Sequence, residues 1–204
     1  MQIYFTRHGE SQANLLNEIS NRGLRHGLTR KGREQAVALA QRLQMIPITH
    51  IYSSAVLRAM ETSVILAYEL NLDYEVTNAL CEYDCGIAEG HSDEMSWKLW
   101  KEFHDAWVAH KRLSEGIEGG ETFHDIQKRF VPFIDGLVNR YRGTDAVVAC
   151  VSHGGIYSMM LPLVLKNITH RIVSKYGFDY TSLIIAELHS DGLYCIDWNG
   201  HEIS

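Results

Sequence analysis

The stretch Ala146–Val151, A-V-V-A-C-V, is an unbroken run of apolar residues. A strand with one face in water alternates apolar and polar side chains. A continuous apolar strand is covered on both faces, as in the centre of a mostly parallel sheet. Parallel neighbours cannot be joined by hairpins, so helices must cross over between them. This segment therefore predicts an α/β chain, and the remaining sequence supplies its partners. Gln2–Thr6 and Ile48–Tyr52 read as further buried strands. Thr29 is placed to cap a helix reaching Leu43, with Ala36, Val37, Ala40 and Leu43 on one face. A second helix is expected from Ala55 to Leu70, and a third after Gly154-Gly155, ended or kinked by Pro162. Gly119-Gly120-Glu121-Thr122 reads as a turn into a helix through Asp125, Ile126, Phe130 and Phe133. Thr181–Leu188 and Leu193–Trp198, joined by His189-Ser190-Asp191-Gly192, read as a closing hairpin. The expectation is a three-layer α/β/α sandwich whose sheet is mostly parallel with an antiparallel edge.

No repeat, low-complexity tract or Pro/Gly/Ser-rich linker divides the 204 residues, so residues 1–204 are expected to form a single domain. A chain of this size buries roughly 70% of its unfolded surface and needs no staples. The pattern changes only at about 90–118, where a helical, cap-like excursion is expected. Within it, Ser92–Arg112 reads as one long helix carrying Trp97, Trp100, Phe103 and Trp107 at spacings of three and four. Such a stripe is either core or the lining of a substrate pocket.

Charge is unevenly distributed. Residues 1–60 hold eight Lys/Arg against three Asp/Glu, while residues 61–204 hold eleven against twenty-two. A basic segment in an acidic chain suggests a local anion site, not the broad basic face that nucleic acid requires. The cysteines Cys81, Cys85, Cys150 and Cys195 show neither a C-x-x-C motif nor a disulfide framework, and reduced thiols are expected. Despite eleven histidines there is no H-E-x-x-H and no zinc-finger spacing, so no metal is expected. No apolar run approaches the roughly 18 residues of a membrane span, and M-Q-I-Y-F-T-R-H lacks the layout of a signal peptide. The expected location is cytoplasmic, with no membrane partner. Oligomeric state is not legible, and a homodimer stays open.

The chemistry-bearing residues follow the strands. Gln2–Thr6 runs into Arg7-His8-Gly9-Glu10, and Ala146–Val151 into Ser152-His153-Gly154-Gly155. Open α/β sheets bind ligands beyond the carboxyl ends of their strands, so both histidines are delivered to that edge. The glycines beside them let backbone approach a ligand closely. Ile48–Tyr52 runs into Ser53-Ser54, either of which is a candidate helix cap, with Arg58 in the first turn that follows. Arg58 either pairs with Glu61 or converges with Arg7 on an anion, each guanidinium gripping phosphate oxygens with two parallel hydrogen bonds.

Taken together, R-H-G-E at 7–10 with Asn14, L-T-x-x-G at 28–32, S-S-x-x-R-A at 53–59, Glu82 ahead of G-x-x-E-G at 86–90, G-G-E-T at 119–122 and S-H-G-G at 152–155 resemble the histidine phosphatase superfamily, the phosphoglycerate-mutase-like fold. The closing N-G-H at 199–201 is similar to the ends of many small members. The resemblance implies a phosphohistidine intermediate, no cofactor and no metal. Carried over by position, it makes His8 the nucleophile, neutral at attack with its other ring nitrogen donating to a carbonyl. Arg7, Arg58 and His153 would cradle the phosphoryl oxygens, with Asn14, Gly9 and Gly154 binding phosphate. Glu82 would protonate the leaving oxygen and then activate water, which requires a carboxylic acid still protonated near neutral pH. Gly32 reads as structural.

Three departures from the mutase pattern favour water as the acceptor. Cys85 stands where mutases carry tyrosine, residues 92–119 lack the adjacent arginine pair and long insertion, and Gly155 replaces a usual asparagine. The expected function is therefore a metal-independent phosphomonoester hydrolase, a histidine acid-type phosphatase, acting on a small phosphorylated metabolite. The alternatives are a 2,3-bisphosphoglycerate-dependent phosphoglycerate mutase and, in another class, a non-catalytic phosphate-binding regulatory module. The pocket wall is expected from Leu15–His26 and the Ser92–Arg112 helix. There Arg22, Arg25 and His26 either meet a second acidic group or lie in a solvated loop.

Overall fold

The computed structural model describes residues 1–203, in the order β1 (Gln2–Arg7), α1 (Gln12–Leu16), α2 (Arg30–Leu43), β2 (His50–Ser54), α3 (Leu57–Leu70), β3 (Tyr74–Thr77), α4 (Glu94–Val108), α5 (Phe123–Tyr141), β4 (Val147–Ser152), α6 (Gly154–Val164), α7 (His170–Tyr176), β5 (Leu183–His189), β6 (Gly192–Trp198) and β7 (His201–Glu202). The strands form one sheet in the order β3-β2-β4-β1-β5-β6-β7. The first four run parallel and the last three add an antiparallel edge. This is the mostly parallel sheet that the apolar run demanded, and every residue of β4 is buried.

Side chains alternate across the sheet and divide the core in two. Tyr4, Ile51, Ala149 and Val151 pack with Leu39, Leu43, Ala59 and Leu66 of α2 and α3. Ile3, Phe5, Val148 and Cys150 face the other way, onto Phe130 and Ile134 of α5 and Ile156, Met159 and Met160 of α6. Helices thus cover both faces and make three layers. No described helix is long and apolar enough to cross a membrane.

Local chemistry explains where elements start. The Thr29 side chain accepts from Gly32 N at 2.9 Å, capping α2 over the expected span. Strand β2 begins at His50, two residues later than the sequence suggests, because Pro47 and Ile48 are still turning, with Ile48 N bonded to Ile46 O. It then continues through Ser53 and Ser54, both fully buried and paired with Val76 and Thr77. Neither serine is the helix cap. That position falls to Val56, while Ser54 Oγ accepts from Val56 N at 3.2 Å.

Helix α4 is shorter than expected, capped by Asp93 and ending at Val108, with left-handed residues at His110 and Arg112. Its aromatic stripe splits between the two readings. Phe103 and Trp107 are core, whereas Trp97 and Trp100 are only partly buried. Pro162 lies inside α6, which ends two residues later.

A close backbone contact fixes the β1–α1 loop. A Cβ on Gly9 would stand 2.3 Å from Gly32 O, and one on Gly32 would stand 1.9 Å from Glu10 O. Gly32 is structural, as expected: α2 docks its first turn directly on the loop that follows His8.

Candidate active site

Strands β1 and β4 lie side by side, and their last paired residues are Arg7 and Ser152. One residue beyond, His8 N donates to Ser152 O at 3.0 Å, so the two histidines leave the sheet as neighbours. Their rings are 5.0 Å apart, and both residues are buried.

The protonation of His8 follows from its partners. Nδ1 is 2.6 Å from Gly9 O, and a carbonyl only accepts, so the ring proton is on Nδ1. Nε2 therefore carries the lone pair, and it accepts from Arg58 Nε at 2.9 Å. Burial above all, then the charges of Arg58 and Arg7, holds the imidazole well below its ordinary pKa of 6.5. His8 is a neutral base with one fixed tautomer.

His153 is held from strand β2. Ser54 Oγ accepts from Val56 N and lies 2.7 Å from His153 Nε2, where its hydroxyl proton is able to donate. His153 Nδ1 is buried and has no hydrogen-bond partner among the described residues. Burial and then the charge of Arg58 keep this ring neutral as well.

The two arginines do converge. Arg58 is nearly fully buried at the start of α3 and donates through Nη1 to Ser20 O at 2.6 Å. Burial lowers its pKa to about 10, which still leaves it charged at neutral pH. Its expected pairing with Glu61 does not occur, since Glu61 accepts from Leu28 N and Arg33. Arg7 donates through Nη1 to Phe178 O at 2.7 Å and lies over the Tyr180 ring at 4.4 Å, leaving its buried Nε without a partner. Of the eight cations in the basic segment, only Arg7 and Arg58 line the cavity described below. Arg22, Arg25, Arg30, Lys31 and Arg33 are paired with acids.

Glu82 reaches the same space from the loop after β3. Its carboxylate accepts from Gly155 N at 2.9 Å, at the first turn of α6, and from Tyr83 N at 3.1 Å. A Cβ at position 155 would lie 2.7 Å from both carboxylate oxygens, so glycine is what admits Glu82 there. Burial raises its pKa above 4.5, against the hydrogen bond from Tyr83 and the charge of Arg58. The loop itself is gathered by Arg129 of α5. That side chain donates to the carbonyls of Asn78, Ala79, Cys81 and Glu82 and binds both carboxylate oxygens of Glu121.

Arg7, His8, Asn14, Arg58, Glu82 and Gly154 all line one cavity of about 380 Å³. Asn14 Oδ1 accepts from Ser11 N and Ser11 Oγ, which turns its amide NH₂ away as a free donor. Gly9 does not line the cavity. Its N–H donates to Thr62 Oγ1 and its carbonyl takes His8 Nδ1, so it orients the histidine and does not grip an anion. The rest of the lining includes Glu18, Ile19, Trp97, Trp100 and His104, with Phe178 beside Arg7 and Gly154. Arg22 turns to Asp84 and Gly119 O, and Arg25 and His26 both bind Glu18. None of those three reaches the cavity. The pocket wall does come from the two expected segments, through residues 18–21 and Trp97, Trp100 and His104, although the sequence alone does not single out Glu18 or His104. Sequence reasoning missed Ser54 as the partner of His153, and Phe178 and Arg129 altogether. Ser54 carried a signal in its place at the end of a buried strand.

The sequence profile of the histidine phosphatase superfamily (branch 1) matches residues 3–201. The chain belongs to this superfamily. Among its relatives, a bifunctional protein of Mycobacterium tuberculosis is 31% identical over 94% of this chain and 51% of its own length. The chain thus spans about half of the first curated relatives it matches. The "Probable phosphoglycerate mutase GpmB" of Cronobacter sakazakii is 30% identical over 81% of this chain and 75% of its own. Among solved structures, a mycobacterial glucosyl-3-phosphoglycerate phosphatase in complex with VO₃ superimposes with a TM-score of 0.82 at 25% identity, covering 98% of this chain and 99% of the other. The superfamily thus includes both reaction outcomes weighed from the sequence. In this member His8, both arginines and Glu82 line one space, whereas His153 is buried beside His8 and does not itself line it.

Proposed function

We propose that this superfamily member is a phosphomonoester hydrolase acting on a small phosphorylated metabolite through a phosphohistidine on His8. The observation that carries the reading is the fixed tautomer of His8: a buried, neutral imidazole whose lone pair at Nε2 opens onto a cationic cavity. In the first half-reaction Nε2 attacks phosphorus and the ester P–O bond breaks. Glu82, protonated, gives its proton to the departing alkoxide. In the second, water attacks the phosphohistidine, Glu82 takes the water's proton, and phosphate leaves with His8 restored.

Arg7, Arg58, His153 Nδ1–H and the Asn14 amide supply donors for the charge developing on the phosphoryl oxygens. The N-terminus of α6 at Gly154 adds its dipole. Preorganised donors of this kind are typically the largest catalytic contribution, about 3 kcal/mol for a single one. Because side chains meet every charge in this scheme, the proposed reaction is metal-independent.

The similarity to a phosphoglycerate mutase keeps phosphoryl return to a second hydroxyl as the competing outcome. Against it stands the engagement of Arg22 and Arg25 with Asp84 and Glu18, which leaves no extra cation for a glycerate carboxylate. Acid-quench labelling with a phosphorylated substrate tests the scheme. Acid-labile, base-stable label should appear on the wild type, clear into inorganic phosphate and be absent from His8→Ala. Label that persists until a phosphoglycerate removes it makes the protein a mutase. Neither label nor phosphate release over a wide substrate panel makes it a non-catalytic phosphate-binding module.

A further inference from the structure

Glu18 lines the cavity and has no part in the scheme above. Its side chain is only 10% exposed. Oε1 is ion-paired with Arg25 Nη1 at 3.0 Å and lies 2.9 Å from His26 Nε2, whereas Oε2 accepts no hydrogen bond among the described residues. The two partners hold the carboxylate in place without lining the cavity themselves, and Arg25 is largely solvated, with 65% of its side chain exposed. A held carboxylate with one oxygen unpaired among the described residues thus belongs to the cavity lining. Beside it Trp97 and Trp100 meet at 69°, and His104 stacks on Trp100 at 4.9 Å. Burial lowers the pKa of His104, so it adds no positive charge to the lining at neutral pH. Among the described residues, the only Lys or Arg lining the cavity are Arg7 and Arg58.

We infer that Glu18 is a specificity-determining residue that selects monoesters whose alcohol is flat and carries a hydrogen-bond donor, neutral or cationic, and rejects those bearing a second anion. The inference rests on the phosphatase reading. The alcohol's ring lies on the indoles, and its donor meets Oε2. A carboxylate or second phosphate on the alcohol would face the Glu18 carboxylate, whose one cationic partner, Arg25, is largely solvated and lies outside the cavity lining. Like charges set against each other discriminate by repulsion as effectively as a new contact does by attraction.

The test uses two aryl monoesters of the same shape, 4-(aminomethyl)phenyl phosphate and 4-carboxyphenyl phosphate. The wild type should favour the first by about tenfold in kcat/KM, mainly through KM, the worth of one partly solvated charge contact. Glu18→Gln keeps the shape and removes the charge, so it should bring the ratio close to one. Glu34→Gln, which removes the same charge from exposed α2, should leave the ratio as in the wild type. A ratio near one in the wild type, or one that Glu18→Gln leaves unchanged, overturns the inference. If neither ester is hydrolysed, the phosphatase reading fails instead. Calorimetric Kd values for the same two esters then decide the selectivity, equal affinities overturning it and the tenfold preference supporting it.

Discussion

Arg58 Nε donates to His8 Nε2 at 2.9 Å, tying the cation of α3 to the nitrogen that β1 presents. The same guanidinium holds Ser20 O, so its position is set from both sides. In the proposed reaction, a phosphoryl oxygen entering the cavity would take over the N–H that rests on Nε2 and uncover the lone pair as it binds. Steady-state kinetics should show Arg58→Ala losing about 10²–10³ in kcat/KM, the range for removing one preorganised donor. Arg58→Lys should recover only part of this, since an ammonium lacks the planar fork that reaches both partners. The His8 pKa, followed by NMR, should rise in Arg58→Ala, because the Arg58 charge is one of the causes that lower it.

The pH dependence of turnover follows from two opposed shifts. The proposed reaction needs His8 neutral, and His8 is held well below 6.5; it needs Glu82 protonated, and Glu82 is raised above 4.5. The kcat/KM profile should therefore be a bell peaking between mildly acidic and neutral pH, with its alkaline limb set by Glu82. Glu82→Gln should abolish that limb. Its loss of rate should be largest for alkyl esters, whose alkoxides need a proton, and smallest for p-nitrophenyl phosphate. An unchanged limb in the variant would assign the acid to another residue.

Folding stability should decline on acidification. Burial lowers the pKa of His8, His104, His153 and His170 in the folded state. For each, the unfolded chain binds protons first, so stability is complete above about pH 6.5 and is lost as pH falls towards the folded value. Glu82, raised in the folded state, acts in the opposite sense, but it is one group against four. Thermal denaturation should give a lower Tm at about pH 5 than at pH 7, with a shallower slope in His153→Asn.

Arg129 offers a test of how Glu82 is placed. Its guanidinium holds the carbonyls of residues 78, 79, 81 and 82 together with Glu121, whose Oε2 also accepts from Asp84 N. Arg129→Ala leaves those groups unpaired and should cost about 3 kcal/mol, a drop in Tm of roughly 10 °C. Assayed below its Tm, the variant should also show a displaced alkaline limb in kcat/KM. Loss of stability with an unmoved limb would mean that Arg129 supports the fold without positioning the acid.

The parts of this molecule that were legible in the sequence are those where one local signal dominates. The apolar run ending at Val151 identified the central strand, and the strand placed His153; the same logic placed His8. Thr29 marked the start of α2 because a side-chain cap leaves little choice of register. Short elements supported by distant partners were not legible. Helix α1 has five residues, too few for a helical period, and depends on Ser11, Asn14 and the left-handed Asn17. Strand β3 is Y-E-V-T with exposed residues at its centre, and it exists by pairing with β2. In the site, residues that follow strands could be anticipated. The segments carrying Glu18 and His104 were expected at the pocket wall, but these two residues could not be singled out, since nothing local shows which face of a loop or helix meets a cavity lined from β1, α1, α3, α4 and α6.

The backbone contact between Gly9 and Gly32 leaves no room for a side chain on either strand of chain. The mount of His8 is therefore closed to change. The wall that meets the alcohol, by contrast, stands on residues 18–19 and 97–104, apart from that mount. If the proposed reaction holds, descendants of this protein can explore new esters by altering Glu18, Trp97 or Trp100 while the mount of His8 is inherited intact.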